Sequence, residues 1–166
     1  MLPSASALPF KRERSPGGTS QRANNWTSEM ALTTLIYASK SRLAPETAQD
    51  AVVELVAKAR CWNSEVGITG ALLFDGAHFV QVIEGSAASI DLLLPKLLAD
   101  PRHDGLVVAK HGPLAERQFS AWSLAYSGSS KFVTNHIMPM FDDANPAGQR
   151  RASHRMIDFM REFVKS

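Results

Sequence analysis

Residues Ile68 to Gly85 read ITGALLFDGAHFVQVIEG, and the pairing of this stretch decides the fold. Two apolar runs flank Asp75-Gly76, a dipeptide suited to the positive φ that a tight hairpin needs. The first run alternates Ile68, Gly70, Leu72 and Phe74 against Thr69, Ala71 and Leu73. The second alternates Phe79, Gln81 and Ile83 against Val80, Val82 and Glu84. Successive strand residues point to opposite faces, so both faces of this hairpin are largely apolar and both must be covered. Gln81 breaks the pattern, because a buried amide needs partners for two donors and an acceptor.

The surrounding chain narrows the class. Its 166 residues are 45% hydrophobic and 20% charged, the profile of one globular domain with a real core. The formal charge of +2 resides in residues 1–30, where four basic residues face two acidic ones; the rest carries fourteen of each. The folded part is therefore neutral, which argues against nucleic acid as a partner. One cysteine, Cys61, excludes an internal disulfide and fits a reducing compartment. No apolar run reaches membrane-spanning length. Residues 1–30 are rich in Ser, Pro, Gly, Asn and Arg without apolar periodicity, the composition of a disordered extension. The same basic, Ser-rich composition also fits an organelle transit peptide, and Met30 stands just before the first β-rich run.

From the hairpin outward, Leu32–Ser39 is expected to form a first strand. A helix over Ala48–Trp62 follows, its stripe being Ala51, Val52, Leu55, Val56 and Ala59. Asn63-Ser64 and Gly67 are expected to end it. After the hairpin, Ser86 is the N-cap of a second helix with the stripe Ile90, Leu93, Leu94, Leu97 and Leu98. Pro95 inside that helix calls for a kink or a late start. Strands over Gly105–His111 and Phe119–Tyr126 complete the core, the last with Trp122, Leu124 and Tyr126 on one face. The order βαββαβ plus a strand is an α+β, ferredoxin-like arrangement with two helices on one sheet face. The Met- and Phe-rich tail, residues 128–166, is expected to cap the other face, which carries Leu35 or Ile36, Leu73, Val80 and Val82. Contact with a partner is the alternative role for that tail.

Familiar chemistries find little support. The five histidines show no metal spacing, neither GxGxxG nor GxxxxGK occurs, and no base pairs with a nucleophile. The informative set is polar residues on apolar elements: Tyr37, Asn63, Gln81 and Trp122. Singly, a strand Tyr or Trp is ordinary packing, and an Asn after a helix is an ordinary C-cap. Gln81 is different, because an unpaired buried amide costs roughly 1–3 kcal/mol. With Tyr37 facing it from the neighbouring strand, the pattern describes a polar pocket between two helices and a sheet, fit for a flat heteroaromatic ligand.

The motif residues are Tyr37-Ala38-Ser39, Asn63, Ile68-Thr69-Gly70, Phe79-Val80-Gln81, Glu84-Gly85, Asp100-Pro101-Arg102-His103, Arg117, Phe119 and Trp122. In this order they resemble the BLUF family of flavin-using blue-light sensors over residues 31–127. The resemblance implies FAD, with FMN and riboflavin as alternatives. It implies that Gln81 bonds the flavin ring and Tyr37, and that Asn63 bonds the ring's carbonyl and nitrogen edge. Ser39, Leu72, Phe79, Arg102 and His103 would line or support the pocket. Tyr37, Gln81 and Trp122 would form the photoactive switch. In the family's mechanism light excites the flavin and Tyr37 supplies an electron and a proton. Their return leaves the Gln81 amide rotated or tautomerised, and a new hydrogen bond shifts absorption to the red. Leu124 departs from the Met that many members carry there, which bears on how the signal leaves. Trp62 adds an aromatic near the pocket. The resemblance thus describes a cytoplasmic, non-enzymatic, single-domain photoreceptor. Its output would pass to a separate protein through residues 128–166 or to a change of homo-oligomer, with neither nucleic acid nor membrane involved. A light-insensitive interaction module and an acylphosphatase-like hydrolase, which would need an arginine at a backbone anion nest, are the competing readings.

Overall fold

The hairpin forms as its alternation requires. β2 (Thr69–Phe74) and β3 (His78–Ser86) pair antiparallel, with Leu72 opposite Gln81 and Phe74 opposite Phe79. Gly76 turns at φ 98°, and Asp75 Oδ1 accepts the N–H groups of Ala77 and His78 at 3.0 and 2.7 Å. β1 (Leu32–Ser41) pairs antiparallel with the other edge of β3, placing Tyr37 opposite Gln81. β4 (His103–Pro113) pairs antiparallel with β1, and β5 (Trp122–Ser127) runs parallel to β2. The sheet order is β4-β1-β3-β2-β5, a ferredoxin-like α+β sheet with a fifth strand. The computed structural model describes residues 31–128, 131–142 and 144–164, with the side chains of Leu124, Tyr126 and Phe132 outside that description. The expected extension over 1–30 and the contribution of the Leu124 side chain fall outside the described residues.

Both sheet faces are covered, and the parity of each strand decides what goes where. Helices α1 (Ala48–Glu65) and α2 (Ala87–Leu98) cover one face. There Leu35, Tyr37, Leu72, Phe74, Phe79, Ile83 and Trp122 pack with Val52, Val56, Ile90 and Leu93. The opposite face carries Ile36, Ala38, Ala71, Leu73, Val80 and Val82. It is covered by α3 (Lys131–Ile137), a 3₁₀ turn (Met138–Phe141) and α4 (Pro146–Val164). Met140, Ala152, Met156, Ile157 and Met160 are the buried contacts of that cover. Of the two residues read as alternatives for the capped face, Ile36 lies there and Leu35 lies under α1 and α2.

Four local expectations are corrected. α1 continues past Trp62 to Glu65, so Asn63 is not a C-cap; Val66 and Gly67, the latter at φ 67°, terminate the helix. α2 starts directly after its Ser86 cap, whose Oγ accepts the Ser89 N–H at 3.0 Å, and carries Pro95 in its last turns. The late start is unnecessary because Asp91, four residues before Pro95, is exposed, so its carbonyl can turn to water. Leu98 leaves the expected stripe and is exposed. Phe119 lies before β5, not within it, because its N–H bonds a side chain and leaves the ladder.

Candidate functional site

α1 and α2 lie on the sheet with a cavity of about 670 Å³ between them. Tyr37 from β1, Phe79 and Gln81 from β3 and Trp122 from β5 contribute from the sheet, and His103 from the first residue of β4. Leu55, Ala59, Trp62 and Asn63 come from α1, and Leu93 and Leu97 from α2. That volume and this mixture of apolar walls with a few polar groups are those of a small-molecule site.

Register places the central pair. Tyr37 and Gln81 are direct cross-strand partners on the helix side of the sheet, and the Tyr37 hydroxyl donates to Gln81 Oε1 at 2.6 Å. Burial, reinforced by the charge of Asp100 and opposed by Arg102, pushes the Tyr37 phenol far above its ordinary value, so its proton stays on. The Gln81 amide nitrogen has no protein partner among the described residues, although the residue is only 7% exposed. Asn63 presents the same situation from above. Its backbone carbonyl accepts the Ile68 N–H at 2.7 Å, while its side chain, in a residue 3% exposed, bonds no described protein group. Two buried carboxamides thus face one slot with hydrogen-bonding capacity unspent.

The sheet also makes room for Trp122. In register, Trp122 sits beside Gly70, which in turn sits beside Ile83. A Cβ on Gly70 would lie 1.9 Å from the Val82 carbonyl oxygen and 3.1 Å from the Trp122 ring, and the backbone there has φ 146°. The indole therefore occupies space that any larger residue would take. Its Nε1 is buried without a partner among the described residues. Arg60 Nε holds the Trp122 carbonyl at 3.2 Å from α1.

At the mouth, Arg102 forks onto Asp100, with Nε 2.8 Å from Oδ1 and Nη2 on Oδ2. Burial alone would raise the Asp100 carboxyl, but the hydrogen bonds from Arg102 outweigh it and hold it below the ordinary range. His103 stacks on Tyr37 at 6.1 Å between ring centroids, and burial keeps it below its usual value against the pull of Asp100.

Of the residues expected at a site, Tyr37, Asn63, Phe79, Gln81, Arg102, His103 and Trp122 meet at this cavity. Ser39 and Leu72 do not line it. Ser39 is buried on β1 with its hydroxyl unpartnered among the described residues, and Leu72 packs beside Gln81 in the core. Lys58 and Lys96 line the mouth and were not foreseen, since each reads as an ordinary solvated position of its helix. A second group, whose residues belong to the motif but whose role was not foreseen, anchors β5. The buried carboxylate of Glu84 accepts the N–H groups of Gln118 and Phe119 at 3.0 and 3.1 Å, and Arg117 bridges Thr69, the Glu84 carbonyl and the Gly67 carbonyl. Burial nevertheless holds Glu84 above the ordinary carboxylate value against those bonds.

A flavin suits this slot. Its flat ring system matches the walls, and its imide edge offers the donors and acceptors that the amides of Asn63 and Gln81 lack. Among the described residues no cluster could hold a metal ion, and no helix is long and apolar enough to cross a membrane.

Comparison with known proteins agrees with that chemistry. The family model described as sensors of blue-light using FAD (BLUF) matches residues 32–125. The chain is 33% identical over 124 residues to photoactivated adenylate cyclase subunit beta of Euglena gracilis, covering 75% of this chain and 14% of that one. It is 33% identical over 110 residues to the alpha subunit from the same organism, covering 66% of this chain and 11% of that one. The chain therefore spans only 11–14% of the length of these curated relatives. Among solved structures, the dark-state structure of BlrB, a BLUF protein, superposes with a TM-score of 0.61 at 30% identity, covering 79% of this chain and 97% of that one. Klebsiella pneumoniae BlrP1 with FMN and cyclic diGMP gives 0.51 at 36% identity over 56% of this chain and 25% of that one. With more than half of its residues inside the family match, the chain belongs to the BLUF family of blue-light sensors that use FAD.

Proposed function

We propose that this chain is a photosensor, not a catalyst, which holds a flavin between α1 and α2 and signals by reversing the Gln81 amide. The observation that carries this reading is the 2.6 Å hydrogen bond from Tyr37 to Gln81 Oε1 beneath a cavity that also contains Asn63. A bound flavin supplies absorption of blue light and an excited state able to accept an electron with a proton.

The chain's own residues supply the rest. Tyr37 keeps its phenolic proton, because burial disfavours the phenolate, and it holds that proton against Gln81 Oε1. In this state the Gln81 amide nitrogen is directed away from Tyr37 and is available to the ligand. Loss and return of the Tyr37 proton releases Oε1 for a moment, and the amide can then turn. An amide exchanges donor for acceptor without changing shape, so the turn alters the hydrogen bonds offered to the ligand and little else. Asn63 fixes the ring edge, and His103 packs on Tyr37 and, edge-on, against Phe79.

FAD is the proposed cofactor species, with FMN the alternative. BlrP1, a structural relative, is described with FMN. Output passes to a protein partner or through a change of homo-oligomer, on the side of the sheet covered by α3 and α4. A hydrolase reading loses its requirement, because Arg102 is committed to Asp100, and Arg42, 3.9 Å from Asp104, lies on the surface.

The test is an absorption spectrum of the purified, flavin-loaded chain before and after blue illumination. A reversible red shift of the flavin bands is expected. A chain that binds no flavin, or binds it with no light-induced shift, would overturn the reading.

A further inference from the structure

The outer face of α4 begins with a cluster of basic residues. Between Pro146 and Arg155 the helix holds Arg150, Arg151, His154 and Arg155 and no acidic residue. All four are exposed, and none has an ion pair among the described residues. The spacing sets Arg151 against Arg155 at i, i+4, a like-charge pair that weakens a helix. The first turn, where the helix dipole favours an acid, has none. Nothing within the chain uses this charge. α4 holds the sheet from its other side, through Ala152, Met156, Ile157 and Met160.

The matching charge lies on the same chain, across the sheet. Glu46, just before α1, and Asp50 and Glu54 within it follow four-residue spacing, and all three are exposed. Glu54 reaches Lys58 at 2.6 Å, whereas Glu46 and Asp50 have no ion pair among the described residues. Val53, 52% exposed, adds an apolar contact beside Asp50 and Glu54. Four helical residues rise about 6 Å, so Asp50 and Glu54 repeat at the same interval as Arg151 and Arg155. With fourteen basic and fourteen acidic residues beyond residue 30, no net charge opposes self-association.

We propose that the basic face of α4 docks on the acidic face of α1 in a second copy of the chain. The two faces lie on opposite sides of the sheet, so the contact is heterologous and joins copies head to tail. Nucleic acid would call for a basic footprint without this acidic counterpart. A membrane surface would call for bulky apolar residues beside the cations, and Met156, Ile157 and Met160 are buried against the sheet. The proposed contact does not depend on the flavin.

The experiment is light scattering on the full chain, kept in the dark, across protein concentration and salt. The screening length falls from about 30 Å at 0.01 M salt to about 3 Å at 1 M. A mass above the monomer is therefore expected at low salt, and a monomer at high salt. Arg151→Glu with Arg155→Glu, and separately Glu46→Lys with Asp50→Lys, should each weaken low-salt association by about tenfold or more, because like charges then face one another. The neutral pair Arg151→Gln with Arg155→Gln should weaken it less. Equal parts of the two reversed variants should associate again, since each offers the charge that the other lacks. Unchanged circular dichroism shows that each variant is folded. A low-salt monomer in the parent chain would overturn the proposal and leave the basic face to an acidic partner of another kind. So would an assembly that either reversal leaves intact, or reversed variants that do not rejoin when mixed.

Discussion

The Gln81 side chain has one described protein hydrogen bond, and Tyr37 provides it. Removing the phenol in Tyr37→Phe strips the buried amide of that donor, at a cost of about 1–3 kcal/mol. Flavin should still bind, because Asn63 and the cavity walls are untouched, but the wild-type photocycle should be lost. Gln81→Leu keeps the volume and removes the amide, so it should also bind flavin and show no amide-dependent shift. Difference spectra under blue light decide both cases, and a normal shift in Tyr37→Phe would contradict the donor assignment. The raised phenol value carries a stability consequence of its own. Tyr37 stays protonated in the fold above the ordinary value of 10.0, where the unfolded chain ionises. Its contribution is therefore full below that pH and is lost as the pH rises beyond it. The amide at Gln81 and the tyrosine facing it were legible in the sequence because period-two alternation fixes a strand's faces. Asn63 was expected at the helix end, and only the family resemblance, not its local sequence, gave it a place at the ligand. A C-capping asparagine and one facing a cavity share the same local sequence, and only the packing of α1 against the sheet separates them.

The β2–β3 hairpin is tied at both ends to segments distant in sequence. At its open end the Glu84 carboxylate gathers the backbone of Gln118 and Phe119, which sets where β5 begins. This explains why β5 starts at Trp122 and not at Phe119: a long-range side-chain bond takes the N–H that a strand would use, and no local pattern announces it. At the turn, Asp75 Oδ2 accepts the Thr134 hydroxyl from α3 at 2.6 Å. Burial alone would raise the Asp75 carboxyl, but bonds from Thr134, Ala77 and His78 outweigh it and hold it below 3.8. The stability this group contributes is therefore present above 3.8 and lost as pH falls through the depressed folded value. Thr134→Val should cost about 1–2 kcal/mol near neutrality and move acid unfolding to higher pH, as read by circular dichroism. Gly70→Ala is the severe change. It combines a Cβ 1.9 Å from the Val82 carbonyl oxygen with a positive φ, and should cost roughly 3 kcal/mol or more in urea unfolding while altering Trp122 fluorescence.

At the scale of the molecule, one sheet separates two cores, and the second exists only because α3 and α4 cover it. The expectation that the tail caps the sheet was legible from its spacing of Met and Phe, since both faces of the hairpin were already known to be apolar. Its consequence for experiment is direct. Truncation after β5 would expose Ile36, Leu73, Val80 and Val82, so it would report unfolding before it reported any loss of partner response. Met156→Ala, at a fully buried position, should cost about 2–5 kcal/mol by thermal or urea unfolding without a change in flavin affinity. The better probes of a partner are the exposed Met138 and Phe163, which can be made polar without opening the core.

The backbone of β3 is a party wall. Phe79, Gln81 and Ile83 belong to the room shared with α1 and α2, while Val80 and Val82 belong to the room shared with α3 and α4, and one peptide unit separates them. Whether a residue number is odd or even therefore assigns its readout. A volume change at 79, which lines the cavity, should shift the flavin spectrum and leave cap stability nearly alone, and changes at 80 or 82 should do the reverse. A movement that begins at Gln81 needs to cross only the thickness of a strand to be felt beneath the cap.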